Sequence, residues 1–315
     1  MTKTEYEYRG QAFRVGVALL LLLLLLTVRG LVLLIAPLLP PAVYAWLYPC
    51  LDGLLYALAF LLPALVFCAI SRDKRFKLSL ATAAPTDTYL WLFVGLAALL
   101  TASVLNTLLL SSLGYDSISS AFFAPISVES NTDLCVQIIL LALIPAFVEE
   151  LLFRGVILSA LSPYGKGVAL VISALLFGLM HQNIGQLLFA TLSGLVLGAL
   201  YLHSRSLWPC VLLHFLNNFL TVLGSALYAR LPAESASRLV LGTILLLVGV
   251  GLACLAWLLI SRNREAVPPR AEKAPDEKLP VLRRLSLFAT LPTVVFVLLT
   301  LGVSLAYLLI AIVFY

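Results

Sequence analysis

The chain has 315 residues, 62% of them hydrophobic and only 11% charged, with a net charge of +5 and a mean hydropathy of +1.09. These proportions exclude a soluble globular domain, and the excess of basic residues, placed in connections between apolar runs, reports orientation in a bilayer rather than nucleic-acid binding. Cys50, Cys68, Cys135, Cys210 and Cys254 stand singly in apolar segments with no CxxC pair, so they read as small packing residues, neither a disulfide framework nor thiolate ligands.

A hydrocarbon core of about 30 Å takes roughly 20 apolar residues per helix. On that measure nine spans are expected, at 14–36, 43–70, 88–111, 134–159, 168–183, 185–203, 207–228, 239–261 and 286–314. The fold class is all-α, a polytopic membrane helix bundle of about nine transmembrane helices. The run Leu19–Leu26 follows a charged stretch as in a signal peptide, but no small-residue cleavage site closes it, and a signal anchor is the better reading. Residues 1–130 hold three spans, 131–230 a core, 231–261 an eighth span, 262–285 a charged, proline-containing linker, and 286–315 a last, detachable span.

Lys3, Arg9 and Arg14, then Arg72, Lys74, Arg75 and Lys77, Lys166, Arg205 and the set from Arg262 to Arg284 alternate with connections at 37–42 and 112–133 that have no Lys or Arg. The positive-inside rule then puts the amino terminus in the cytoplasm and the carboxyl terminus outside, in what reads as a multi-pass protein of a bacterial plasma membrane. Arg230 and Arg238 dissent, since they fall in a connection placed outside.

Against this apolar background three polar clusters stand out: Glu149, Glu150 and Arg154; His181, one turn after Phe177; and His214 with Asn218. Two of the chain's three histidines are among them. Ionisable groups at membrane depth cost several kcal/mol unless partnered, which marks them as functional. Glu150 and Arg154, four apart, share a helix face and can pair. Glu149, turned about 100° away, is left unneutralised in weakly polar surroundings, as suits a general base. Pro145 removes a backbone bond just upstream and bends the helix. His214 and Asn218 face one way and offer donors to an oxyanion, or simply link helices. Asn217 reads as a packing contact and His203 as a solvated helix end. Ala190, Gly194 and Gly198 at four-residue spacing predict close approach of a neighbouring helix. Counting from the span ends puts Glu149 and His214 on the order of 10–15 Å, and His181 about 20 Å, below the cytoplasmic surface, predicting a cleft open to the cytoplasm.

In order and spacing, Glu149-Glu150-x-x-x-Arg154, Phe177-x-x-x-His181 and His214-x-x-x-Asn218 resemble the signature of the CPBP family of membrane proteases, which groups CAAX-processing endopeptidases with bacterial Abi and bacteriocin-processing or self-immunity proteins. The resemblance covers residues 134–225. It implies an intramembrane endopeptidase acting on membrane-associated, prenylated or leader-peptide substrates. Glu149 and His181 would activate a water, Glu150 and Arg154 would shape the site, and His214 and Asn218 would stabilise the oxyanion. Glu149, His181 and His214 are also the residues that would hold Zn²⁺ or another divalent metal, although no HExxH is present and a metal-free glutamate mechanism uses the same side chains. The partners expected are a peptide or protein substrate and the bilayer, with no nucleic acid. Two other classes share these residues: a silent scaffold or immunity protein, and an ion-coupled transporter, which the lack of a visible internal repeat disfavours.

Overall fold

The computed structural model describes residues 1–71, 85–113, 128–262 and 279–314, and these are helical with no strand among them. The basic segment at 72–77, most of the 112–133 connection and the 263–278 part of the linker lie outside the described residues. Eight described helices are long and apolar enough to cross a membrane. In chain order we label α1 (Lys3–Ile35), α2 (Pro41–Ile70), α3 (Thr88–Ser112), α4 (Asn131–Tyr164), α5 (Lys166–Met180), α6 (Ile184–Ser204), α7 (Trp208–Arg230), α8 (Ala233–Arg262), α9 (Val281–Phe288) and α10 (Leu291–Phe314).

The fifth apolar helix differs from an ordinary span. At 15 residues α5 extends only about 22 Å and stops short of a 30 Å core. His181 ends it, Gln182 takes a left-handed conformation (φ 52°), and α6 starts at Ile184. Irregular backbone at such depth is tolerated where it borders a cavity. His181, Gln182, Asn183 and Gln186 do line one, together with Arg29 and Tyr56.

Helix α4 carries the glutamates and is held at both ends. Ser130 and Asp133 form a capping box at its start, with Asp133 N–H donating to Ser130 Oγ (3.0 Å) and Ser130 N–H donating to Asp133 Oδ2 (2.8 Å). Arg230, at the end of α7, donates to Ser130 O (2.6 Å), Val128 O (3.2 Å) and Asn131 Oδ1 (3.0 Å). The positive charge that dissents from the orientation rule is therefore occupied as a clamp on α4. At the other end Arg284 of α9 donates to Tyr164 O (3.0 Å), and Tyr164 packs on Tyr8 of α1 at 5.0 Å. Gly165 has φ 142°, and a side chain there would collide with the Arg284 guanidinium.

The described carboxyl-terminal helices contact α1. Residues 281–288 form a helix whose Arg283 donates to Glu5 Oε1 (2.6 Å). Helix α10 packs along α1, where a Cβ on Gly16 would lie 2.6 Å from the backbone nitrogen of Thr293. Linker composition at 262–285 hid a short helix that uses its arginines as ties. The other principal contacts are α3 with α8, α5 with α6, and α1 with α2.

A cleft of about 370 Å³ runs into the bundle and is lined by residues of α1 through α7. Arg29, Asp52, Leu140, Leu141 and Thr221 on its walls all lie in the halves of their helices remote from the basic segments that follow α2 and α8. The lining continues through Glu149, Leu197 and His214 in the opposite halves of α4, α6 and α7, so the cleft reaches past the middle of the bundle. Helix α4 continues to Tyr164, past the span end at 159 read from hydropathy, so Glu149 lies more than a turn deeper from that end than its sequence position indicates. Cysteine labelling reads this directly. On a background without the native cysteines, Thr221→Cys at the cleft and Lys166→Cys at the opposite end should react with an impermeant thiol reagent from opposite faces of oriented vesicles. Labelling of both from one face contradicts the arrangement.

Candidate active site

Glu150 and Arg154 form the base of the site. Both are buried, at 0% and 1% exposure, and Arg154 Nη1 donates to Glu150 Oε1 at 2.7 Å. The same carboxylate oxygen accepts from Nδ1 of His214 at 2.8 Å. Arg154 Nη2 donates to the carbonyl of Gly194 (3.2 Å), and its guanidinium lies 4.4 Å from the centre of the Phe177 ring. A buried arginine thereby has a carboxylate, a carbonyl and an aromatic face around it, which is what keeps the charge tolerable without water.

The close approach of α5 and α6 makes the carbonyl contact available. A Cβ on Gly194 would stand 2.7 Å from Ala174 Cα, and one on Gly178 would stand 2.9 Å from Leu187 O. This is the close packing that the small-residue spacing predicts, and it carries the Gly194 carbonyl to Arg154.

Two stretches of α4, Ile138–Leu143 and Leu151–Leu158, are wound as π-helix on either side of the glutamates. Pro145 has no N–H to give to the carbonyl of Leu141, four residues back. Asn218 of α7 supplies the missing donor through Nδ2 at 3.0 Å. Asn217 in turn donates to Asn218 Oδ1 (3.1 Å). One N–H of the Asn218 amide is left for a substrate oxygen, so its helix-linking and oxyanion roles are compatible.

Glu149 is 3% exposed and lies on the wall of the cleft, as do His181, His214, Asn217 and Asn218. One of its oxygens accepts a hydrogen bond from the hydroxyl of Tyr56 on α2, and the other, Oε2, has no partner among the described residues. The division expected from helix geometry is present: Glu150 is paired, and Glu149 faces the cleft. His181 donates Nδ1–H to Phe177 O (2.9 Å), since a carbonyl can only accept, so Nε2 is the unprotonated nitrogen of the neutral ring. His214 already gives Nδ1–H to Glu150, so it donates to an oxyanion through Nε2 only when doubly protonated.

In donor chemistry Glu149, His181 and His214 suit a divalent metal, because Nδ1 of each imidazole is tied and Nε2 remains. Their arrangement does not fit one. Among the described residues no three His, Cys, Asp or Glu side chains gather closely enough to hold an ion. The Phe177 ring contacts both imidazoles, 5.1 Å from His181 and 6.1 Å from His214, and Tyr56 occupies one oxygen of Glu149.

Among the cleft residues that escaped the sequence reading are Arg29, Asp52 and Tyr56, from the first two spans, and Gln186. Arg29 Nε donates to Asp52 Oδ1 at 2.7 Å. An arginine and an aspartate inside apolar runs were the available signal; a tyrosine there has none. His203 bonds Asp87 Oδ1 through Nε2 (3.0 Å) and lies apart from the cleft, as expected of a helix end.

A family model described as type II CAAX prenyl endopeptidase Rce1-like matches residues 131–220. That segment holds all seven signature residues, and the match supports a CPBP/CAAX protease assignment. No curated protein and no solved structure matches the chain. Its apolar helices make this an integral membrane protein, and over residues 131–220 it is similar to that protease family.

The glycine contact yields a stability prediction. Gly194→Ala overpacks the α5–α6 crossing and should destabilise the protein by about 1–3 kcal/mol, read as a lower melting temperature in detergent. An unchanged melting temperature contradicts the close approach.

Proposed function

Taking the CAAX-protease assignment of residues 131–220 as premise, we propose that the protein is an intramembrane endopeptidase that hydrolyses peptide bonds of membrane-associated, prenylated or leader-peptide substrates with a glutamate-activated water. The observation that carries this reading is the pair of unlike carboxylates. Glu150 is paired through Oε1 with Arg154 and His214, while Glu149, one residue away, has no cationic partner among the described residues and lines a cleft shared with His181, His214 and Asn218.

In this mechanism a water in the cleft gives a proton to Glu149 Oε2 as its oxygen attacks the scissile carbonyl carbon. Nε2 of His181 is a second acceptor that holds the water. The carbonyl oxygen becomes an oxyanion and takes hydrogen bonds from the free N–H of Asn218 and, where His214 is doubly protonated, from its Nε2–H. Collapse of the tetrahedral intermediate breaks the C–N bond, and Glu149 returns its proton to the leaving amine. A preorganised donor is worth about 3–4 kcal/mol to such a transition state. A helix conceals its carbonyls in hydrogen bonds, so the substrate must lie extended. The amide-lined walls at Gln186, Asn217 and Asn218 suit an extended peptide backbone.

Peptide cleavage and solute flux, measured side by side on the purified protein in proteoliposomes, separate a protease from a transporter and from a silent scaffold. Cleavage without flux is expected. Glu149→Gln should lower the cleavage rate by a factor of about 10²–10⁴ with an unchanged melting temperature. Glu149→Gln that cleaves at the wild-type rate contradicts the assignment of the base.

A further inference from the structure

We propose that Tyr56 of α2 is a positioning residue for Glu149, holding one carboxylate oxygen so that the other is presented to the water; this rests on the proteolytic reading above. Tyr56 lies outside the family-matched segment, in the part of the chain to which neither motif nor match assigns a role.

The geometry of α2 is arranged around this contact. Gly53 lets α2 come close to α4: a Cβ there would stand 2.7 Å from Leu140 Cδ2 and 3.2 Å from Ile144 Cδ1. With the helices so close, the Tyr56 hydroxyl reaches Glu149 Oε1 and donates to it. The phenol itself is held. Its ring packs on Phe60 at 4.9 Å, and the Arg29 guanidinium lies 5.2 Å from the ring centre. Arg29 is in turn paired with Asp52, which shares the Tyr56 face of α2 one turn earlier. A chain of contacts, Asp52 to Arg29 to Tyr56 to Glu149, thus ends on the oxygen opposite the unpartnered one.

The physical consequence concerns rotation. A carboxylate bonded by neither oxygen can turn about its terminal torsion, which is broad and roughly two-fold. Donation by Tyr56 to Oε1 selects one orientation and leaves Oε2 as the oxygen with no competing donor among the described residues. Loss of orientation at a reacting group costs on the order of 10²-fold for a displacement near 1 Å. The hydroxyl also partners a buried carboxylate that no cation neutralises, so a purely structural role is the rival account.

Two readouts distinguish these roles. Tyr56→Phe keeps the ring and removes the donor; kcat should fall about 10- to 100-fold with KM changed less than about twofold, since the bulk lining the cleft is retained. The infrared antisymmetric carboxylate stretch of Glu149, identified by its loss in Glu149→Gln, should shift in Tyr56→Phe. Replacement of Tyr56 by 3-fluorotyrosine preserves the fold if phenylalanine does not, and should move the same band and kcat by smaller amounts. A shifted band with lowered kcat supports the positioning role. An unshifted band, or a lowered melting temperature with kcat retained, overturns it. Should the wild-type protein cleave no peptide while the band still shifts, the proteolytic reading and the catalytic part of this proposal fall, and only the structural contact stands.

Discussion

Everything else about this site depends on the neutralisation of Arg154 by Glu150 in the interior of the bundle. Two adjacent carboxylates at membrane depth cannot both be left uncompensated, and a guanidinium one turn along the helix removes one of them from chemistry. The same oxygen that binds Arg154 fixes the ring of His214, so the pairing that solves the charge problem also orients an imidazole from another helix. The arginine's remaining contacts, Gly194 O and the Phe177 face, reach into α6 and α5. One buried ion pair therefore ties four helices, and what it leaves over is Glu149.

Backbone geometry serves the same end. A π-helical turn has lost the regular i to i−4 pattern, and the two such stretches in α4 bracket the glutamates. Near the first, Pro145 cannot serve the Leu141 carbonyl, and Asn218 does. Along the second, Ser159 Oγ donates to Arg154 O (3.0 Å) and bonds the Tyr201 hydroxyl (2.6 Å), linking α4 to α6. The departures from regular helix are thus satisfied by side chains from the helices that enclose the cleft, as a bilayer interior requires.

The bundle itself was legible because hydropathy alone identifies membrane helices. The separation of Glu149 from Glu150 was legible because neighbours on a helix point 100° apart and residues four apart do not. The depth of Glu149 was not, because span ends read from hydropathy miss the last turn of α4, and depth counts inherit that error. Nor was Tyr56: a tyrosine in an apolar run is indistinguishable from packing, and its partner lies 93 residues away in sequence. Arg29 and Asp52 could have pointed there, since they are charges within spans one and two. Arg230 shows the converse, a residue whose charge ran against the orientation count and which clamps the start of α4.

The claim that Arg154 sorts the two glutamates into anchor and base is tested most directly by double-mutant cycles in thermal stability. Glu150→Gln and Arg154→Met should each destabilise strongly, by about 3–5 kcal/mol where a charge is left buried alone. Their combination should recover part of the loss, giving a coupling energy of about 1 kcal/mol or more. Glu149→Gln with Arg154→Met should instead be additive within about 0.5 kcal/mol. A coupling of Arg154 to Glu149 as large as that to Glu150 would contradict the account.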